Sequence, residues 1–453
     1  MCITVKTINS IVLRILLLFP LLLCFCSDRE NLRDQGRLIF IALDGADWDV
    51  IDPLLEEGLL PNFKSMIEQG TRADLYSLGD EWVFQPQEGK WGTSPAIWTS
   101  IATGMLPEEH GIVDFIVMDE GVTFPITSNY LAATPVWDIM GENGLVVAVA
   151  GWWATWPAKR VNGFMISDHV GISRWDLSTN YRKAGFDLYG DTYPASLIDE
   201  ILPYRRSPAG VSTEEAMARC GIESNTPGLD EGRKIFELKI AIAADLTYAN
   251  TCLYLMDRYD VDFVSPYIEG VDIVQHLFWK YAYPDTSLNI VQQADIDNLG
   301  SVIKSYHVFV DSLLGEFIKS AGEQDRIMIA SDHGFHSSDV RSKIHISGEH
   351  DRKGILLMKG PGIKRSYLHE NIDVLDLTPM ILYMTDIPIA RDMKGHLPLN
   401  AFTEEYRRRR KPRYVDTYQR KDDRSVNARP IPSPVDADLL EKLEALGYIS
   451  REK

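Results

Sequence analysis

Cysteine is scarce: the chain holds five in 453 residues, with no Cys-x-x-Cys pair. That excludes a disulfide-framed miniprotein and a thiolate zinc site. Cys220 and Cys252 remain as a pair able to form one disulfide in an oxidising compartment. Positive charge is also short, with 46 Lys and Arg against 65 Asp and Glu, a net charge of −19. Nucleic-acid binding of the sequence-independent kind depends on Lys and Arg neutralising phosphates, so it is excluded as the main role, and no specific nucleic-acid partner is expected. An anionic substrate needs local positive charge, and in so acidic a chain a bound cation is its readiest source. No internal repeat is visible. What is present, 45% hydrophobic and 25% charged residues, is the make-up of a folded globular protein and not of a disordered one.

The N-terminal apolar run is short. Ile15–Cys26 (ILLLFPLLLCFC) has twelve residues and contains Pro20, whereas a membrane-spanning helix needs about 20 apolar residues. Lys6 and Arg14 precede it and no acid occurs before Asp28, the pattern of a signal peptide. Residues 1–26 are therefore expected to be a signal peptide and 27–36 a polar linker, with the protein exported to the periplasm or cell surface. Cys24 and Cys26 resemble a bacterial lipoprotein processing site, although Leu23 and Phe25 stand where small residues are usual. The expectation is a lipid tether through Cys26 or Cys24; otherwise both are apolar members of the discarded peptide.

Leu38–Leu43 is a continuous apolar run of strand length that stops at Asp44-Gly45, as a buried parallel strand would. The design recurs at Val146–Ala150, Phe263–Tyr267, Ile327–Ala330 and Ile355–Met358, each followed by Gly within a few residues. Helical patterns lie between them, among them 61–69, 234–258 and 302–320. Alternation of this kind predicts an α/β fold with a doubly wound, mostly parallel sheet and helices on both faces. Ligands bind such sheets at the carboxyl ends of the strands. Residues 77–92 and 171–233 interrupt the alternation and are expected to be insertions near that edge, with the catalytic unit spanning 37–402. Residues 403–453 are expected to form a solvated basic connector, Arg407–Arg410 with Lys411 and Arg413, and then an amphipathic helix, Asp436–Leu446.

Four of the ten histidines, His333, His336, His345 and His350, fall in one eighteen-residue window that begins at a strand end. Asp332 and His333 sit where a strand gives way to a Gly turn. Asp272 and His276 are four residues apart, which on a helix places both on one face about one turn apart. Asp44 and His350 flank strands at the same edge. Each alone has a bland explanation: Asp44 could cap a helix, and Asp272 with His276 could be a helix-face hydrogen bond. Together they form a mixed oxygen and nitrogen ligand set suited to zinc, or to manganese or iron in a more open site. Ser94 precedes Pro95 at an expected helix start, so it reads as an N-cap. A hydroxyl at a helix N-terminus beside a metal is also an activated nucleophile. Thr93 is a second candidate. Gly151-Trp152-Trp153 follows a strand, and its indoles either stack on a base, sugar or lipid head group or belong to the core.

LDGAD, SPAIWTSIATGMLPEEHGI, the Asp-x-x-x-His of Asp272 and His276, SDHGF and the Gly-x-His of Gly348 to His350, in that order, resemble the alkaline phosphatase superfamily. Within it the chain is most similar to the type I phosphodiesterase/nucleotide pyrophosphatase branch in its bacterial exported form. The resemblance implies an alkaline-phosphatase-like fold with inserted cap segments and two divalent ions, most simply zinc. Asp272, His276 and His350 would hold the first, and Asp44, Ser94, Asp332 and His333 the second. Ser94 would attack phosphorus in line, and the covalent intermediate would be hydrolysed by water. That branch carries an Asn three residues after its nucleophile, where this chain has Ile97. Lys90, His336 or the Ser94 N–H are the replacement donors to consider. The sulfatase relatives need Pro two residues and Arg four residues after the nucleophile, where Ala96 and Trp98 stand. The expected substrate is a phosphate ester, a small molecule or a lipid head group. Alternatives are a phosphomonoesterase, a head-group phosphotransferase, and an inactive surface-tethered binding protein.

Overall fold

The run Leu38–Leu43 forms strand β1, buried at all six positions, as a strand covered on both faces must be. The structure is a computed structural model and describes residues 36–79, 93–172, 190–223, 233–285, 291–338, 347–420 and 428–449. The expected signal peptide, the linker up to residue 35, Cys24 and Cys26 lie outside these residues. β1 is followed by β2 (Gly70–Tyr76), β3 (Val147–Ala150), β4 (Gly163–Ile166), β5 (Thr192–Tyr193), β6 (Phe263–Ile268) and β7 (Arg326–Ala330). A hairpin, β8 (Gly334–Ser337) and β9 (Gly348–Asp351), then leads into β10 (Lys353–Lys359) and β11 (Tyr367–Asp373). All but the hairpin join one nine-stranded sheet in the order β11-β2-β10-β7-β1-β6-β3-β4-β5.

The five central and adjoining strands β7, β1, β6, β3 and β4 are mutually parallel. β10 runs against both β7 and β2, and β5 runs against β4. The sheet is thus mostly parallel, as expected, but Ile355–Met358 does not belong to the parallel set. The reason is the connection: after β7 the described residues form only the hairpin β8–β9, at the carboxyl edge of the sheet. A parallel return needs a crossover of a dozen or more residues, usually a helix; among the described residues none lies here, and β10 runs back against β7.

Alternate side chains of β1 serve two apolar layers, as the period of a strand requires. Ile39, Ile41 and Leu43 pack under α2 (Arg233–Arg258), α3 (Gly270–Ala282) and α4 (Val302–Ser320). Leu38, Phe40 and Ala42 pack under α1 (Ser94–Thr103) and the helices Val136–Glu142 and Leu377–Met384. Cys220 and Cys252 lie in the first of these layers as buried free thiols, so they form no disulfide with each other. Burial pushes the Cys220 thiol up to about 12, which makes it an inert core residue.

Of the two expected insertions, residues 80–92 lie outside the described residues. The described part of the second, 190–223, adds the edge strand β5 and packs its short helix Thr213–Arg219 on α2 and α4. The C-terminal stretch is packed onto the body, while Arg408, Arg409, Lys411 and Arg413 of its basic run are exposed. Tyr414–Val415 pairs with Ile389–Ala390, and Arg410 donates to the carbonyls of Tyr383 and Met384. Helix α5 (Asp436–Ala445) seats Leu439 and Leu443 on Phe115.

Candidate metal centre and nucleophile

Three neighbouring strands end at one place. β1 delivers Asp44, β7 delivers Asp332 and His333, and β6 leads through Glu269 into α3, whose first two turns carry Asp272 and His276. The hairpin strand β9 brings His350 over the same edge. Gly45 makes this convergence feasible: its φ is +73°, and a Cβ there would come within 3.0 Å of the Asp272 Cα. The start of α3 is fixed by Asp245, a buried residue of α2 that accepts the N–H groups of Glu269 at 3.0 Å and Gly270 at 3.2 Å. Burial pushes Asp245 up to about 7.

The six side chains form two groups that share Asp272. In the first, Asp272 Oδ1 lies 3.2 Å from His350 Nε2 and 3.3 Å from His276 Nε2, and the two imidazole nitrogens are 2.9 Å apart. His276 Nδ1 donates to the Gly348 carbonyl at 2.9 Å, an assignment that leaves Nε2 with its lone pair facing the group. In the second, His333 Nε2 lies 3.2 Å from Asp44 Oδ1, 3.5 Å from Asp332 Oδ2 and 3.9 Å from Asp272 Oδ1. The His333 and His350 rings stack at 3.6 Å and tie the groups together.

The electrostatics identify what these groups fit. Asp44 Oδ1, Asp272 Oδ1, both Asp332 oxygens and His333 Nε2 are buried without a hydrogen-bond partner. Orphaned buried carboxylates are costly unless a cation compensates them. Burial, and then the Asp44 charge, push Asp332 well above the usual carboxylate range. Burial works against a charge on His333, but Asp332, Asp44 and Asp272 outweigh it and hold the imidazole at about 10. Burial and the His333 charge press His350 down to about 3. A cluster of three carboxylates with three imidazoles, strained in these ways, fits divalent cations as the compensating charge. The trios Asp272–His276–His350 and Asp44–Asp272–His333 each bring their ligand atoms within 4.8 Å of one another.

Ser94 is not the cap of its helix. Thr93 holds the N-cap position and makes no side-chain cap bond, while Ser94 is the first residue of α1, with Pro95 after it. The capping explanation for Ser94 therefore lapses. Ser94 is buried and lines one small cavity with Asp44, Asp272 and Glu269. Thr93 does not line that cavity; its hydroxyl points to the Val113 carbonyl at 3.4 Å. Ile97 is fully buried in the apolar layer.

The candidate substrate contacts divide. Lys90 and His345 fall outside the described residues. His336 lies on β8 with Nδ1 on the Ser337 carbonyl, and does not line the Ser94 cavity. Trp152 is packed among Phe40, Trp98 and Trp137 and donates to Ser265 Oγ at 3.0 Å, the setting of a core indole. Trp153 does line the cavity, and its Nε1 donates to Tyr267 Oη at 2.7 Å. Tyr267 in turn donates to Asp44 Oδ2. This Trp153–Tyr267–Asp44 chain orients a candidate metal ligand from behind, and Tyr267→Phe is expected to weaken divalent-metal affinity about 10- to 100-fold. Titration of the chelated protein with zinc measures it; unchanged affinity would remove Tyr267 from the site.

Sheet and site define an α/β protein with a carboxylate–histidine centre at the carboxyl ends of its middle strands. The sequence model of the type I phosphodiesterase / nucleotide pyrophosphatase family matches residues 38–422. The chain belongs to that family, whose members are metal-dependent hydrolases of phosphate esters. No curated protein matches it significantly. Among solved structures it is similar to murine ectonucleotide pyrophosphatase/phosphodiesterase 5, in an inactive form in complex with AMP. That similarity is 14% identity with a TM-score of 0.49, over 82% of this chain and 100% of the other. The human protein of the same name gives 13% and 0.47, over 81% and 100%.

Proposed function

We propose that this protein cleaves phosphodiesters through a covalent Ser94 intermediate at a site holding two zinc ions. The observation that carries the reading is the meeting of Ser94, Asp44 and Asp272 in one cavity, where Asp272 joins two ligand trios. Asp272, His276 and His350 would hold one cation, and Asp44, Asp332, His333 and Ser94 the other. When bound, the cations supply positive charge that lowers the pKa of the attacking hydroxyl and stabilises the leaving oxygen. Zinc suits the mixed carboxylate and imidazole set.

Ser94 Oγ attacks phosphorus, the bond to the leaving alcohol breaks, and the phosphoryl group becomes esterified to Ser94. Water then displaces Ser94, regenerating the hydroxyl. Pro95 has no N–H and the Ala96 and Ile97 N–H groups are bonded to the Thr93 carbonyl, so α1 offers the developing charge the Ser94 N–H and the positive end of its dipole. Export, and a tether through Cys24 or Cys26, belong to the same proposal and rest on the N-terminal sequence.

The test offers bis-p-nitrophenyl phosphate and p-nitrophenyl phosphate to the full chain, with zinc and with chelator. The expected result is zinc-dependent cleavage that favours the diester. Faster monoester cleavage would replace the reading with a phosphomonoesterase. A product in which an added alcohol, and not water, receives the phosphoryl group would replace it with a phosphotransferase. Zinc binding without cleavage of either ester would leave a binding protein.

A further inference from the structure

A phosphoryl group brings oxygens that need hydrogen-bond donors, yet Asp44, Glu269 and Asp272 around Ser94 are carboxylates, which when ionised only accept. The side chains that follow Ser94 on α1, Pro95, Ala96 and Ile97, offer no donor. Among the described residues lining the Ser94 cavity, the side-chain donors besides Ser94 are Trp153, Lys442 and Tyr448. Each has a partner within the protein: Trp153 Nε1 donates to Tyr267 Oη, Lys442 Nζ to Glu269 Oε2 and Tyr448 Oη to Asp272 Oδ2. Lys442 and Tyr448 both come from the C-terminal segment, and of the three only Tyr448 bonds a residue of a ligand trio directly.

Tyr448 follows α5 and reaches into the first ligand group. Its Oη lies 2.7 Å from Asp272 Oδ2, 2.8 Å from His276 Nε2 and 3.4 Å from His350 Nε2. It therefore donates to the Asp272 carboxylate and faces both imidazole nitrogens of that trio at once. Its ring is held by stacking on Phe115, with centroids 4.4 Å apart and planes at 25°. Lys442 is only 2% exposed and donates to Glu269 Oε2 at 2.6 Å. Glu269 is the residue from which α3 starts, so this buried ion pair locks α5 onto the helix that carries Asp272 and His276. A buried ion pair is weak evidence for stability; here it fixes the register of one element against another.

We propose that the C-terminal segment is a wall of the active site. Tyr448 is a catalytic residue whose phenol donates a hydrogen bond to a phosphoryl oxygen held at Asp272, His276 and His350. Lys442 is a positioning residue that seats it through Glu269. The inference rests on the two-metal reading above and names the group that recognises the ester there.

The test uses inorganic phosphate as the probe. Its binding to the zinc-loaded full chain is measured by calorimetry, and zinc content by elemental analysis. Tyr448→Phe keeps the ring on Phe115 and removes only the hydroxyl. The expected result is wild-type zinc content with phosphate affinity reduced about 10- to 100-fold, the effect of losing a hydrogen bond to a charged group. Lys442→Gln should weaken phosphate binding in the same direction, and Lys442→Arg should restore it; a residue that merely packs would not show that rescue. Wild-type phosphate affinity in Tyr448→Phe overturns the proposal. So does loss of zinc in that variant, which would make the phenol a metal-holding group. If the unaltered chain binds no zinc, the two-metal reading itself fails, and that result is distinct from either.

Discussion

Ser94→Ala lowers diester cleavage by about four orders of magnitude or more, while zinc content stays at the wild-type level because the charged Asp44 and Asp332 and the His333 imidazole remain to hold the second ion. The size follows from removing a nucleophile outright: what survives is the contribution of binding and electrostatic stabilisation, which elsewhere leaves only a small residue of the rate. The specificity follows from the structure. Ser94 caps nothing, because Thr93 occupies the N-cap position, and its helix is buried along its whole length, from Ser94 to Thr103. Alanine therefore fits the backbone without loss of a structural bond. Steady-state kinetics with bis-p-nitrophenyl phosphate, beside elemental analysis, measures both halves. A variant with more than a tenth of wild-type activity would move the nucleophile elsewhere, with Thr93 next in line.

Asp332→Asn is expected to abolish activity and to remove one of two zinc ions per chain. Both Asp332 oxygens are buried, neither has a hydrogen-bond partner, and His333 Nε2 stands 3.5 Å from one of them. In chelated protein burial and the Asp44 charge hold this carboxyl well above the usual carboxylate range, favouring its neutral form, so the neutral amide should leave the metal-free fold no less stable than wild type. In zinc the order reverses. A ligand held at a hundred times its Kd stabilises the native state by about 2.7 kcal/mol per site, and the variant forgoes that contribution for one site. Thermal unfolding with and without zinc reads both signs. Equal zinc-induced shifts in variant and wild type would show that Asp332 holds no cation.

Much of the site was legible because strand ends announce themselves. Apolar runs stopping at Asp44-Gly45 and at Asp332-His333-Gly334 mark the carboxyl edge of the sheet, and the spacing of Asp272 and His276 needs only a helix to bring them together. The antiparallel course of β10 was hidden, since an apolar run reads the same in either direction. Asp245 left a trace, a lone acid within the apolar stretch Ala241–Thr247, which marks a buried carboxylate with a task. Trp152 and Trp153 are neighbours in sequence, and only packing separates the core indole from the one on the cavity.

Tyr267, Lys442 and Tyr448 carried no comparable signal. Tyr267 sits within a strand where an aromatic residue is ordinary, and its role depends on Asp44 lying on the adjacent strand. Lys442 occupies a helix expected only to be amphipathic, and it is almost fully buried against Glu269. Tyr448, 176 positions from Asp272 along the chain, meets it only through the tertiary fold, and periodicity cannot reveal such a meeting.

The central claim is that the carboxylates and imidazoles at the strand ends hold two cations beside Ser94. Crystals of the full chain grown with zinc, measured on both sides of the zinc absorption edge, test it most directly. Two anomalous peaks are expected, one among Asp272, His276 and His350 and the other among Asp44, Asp332, His333 and Ser94. A zinc-replete crystal with no peak at either place would contradict the claim.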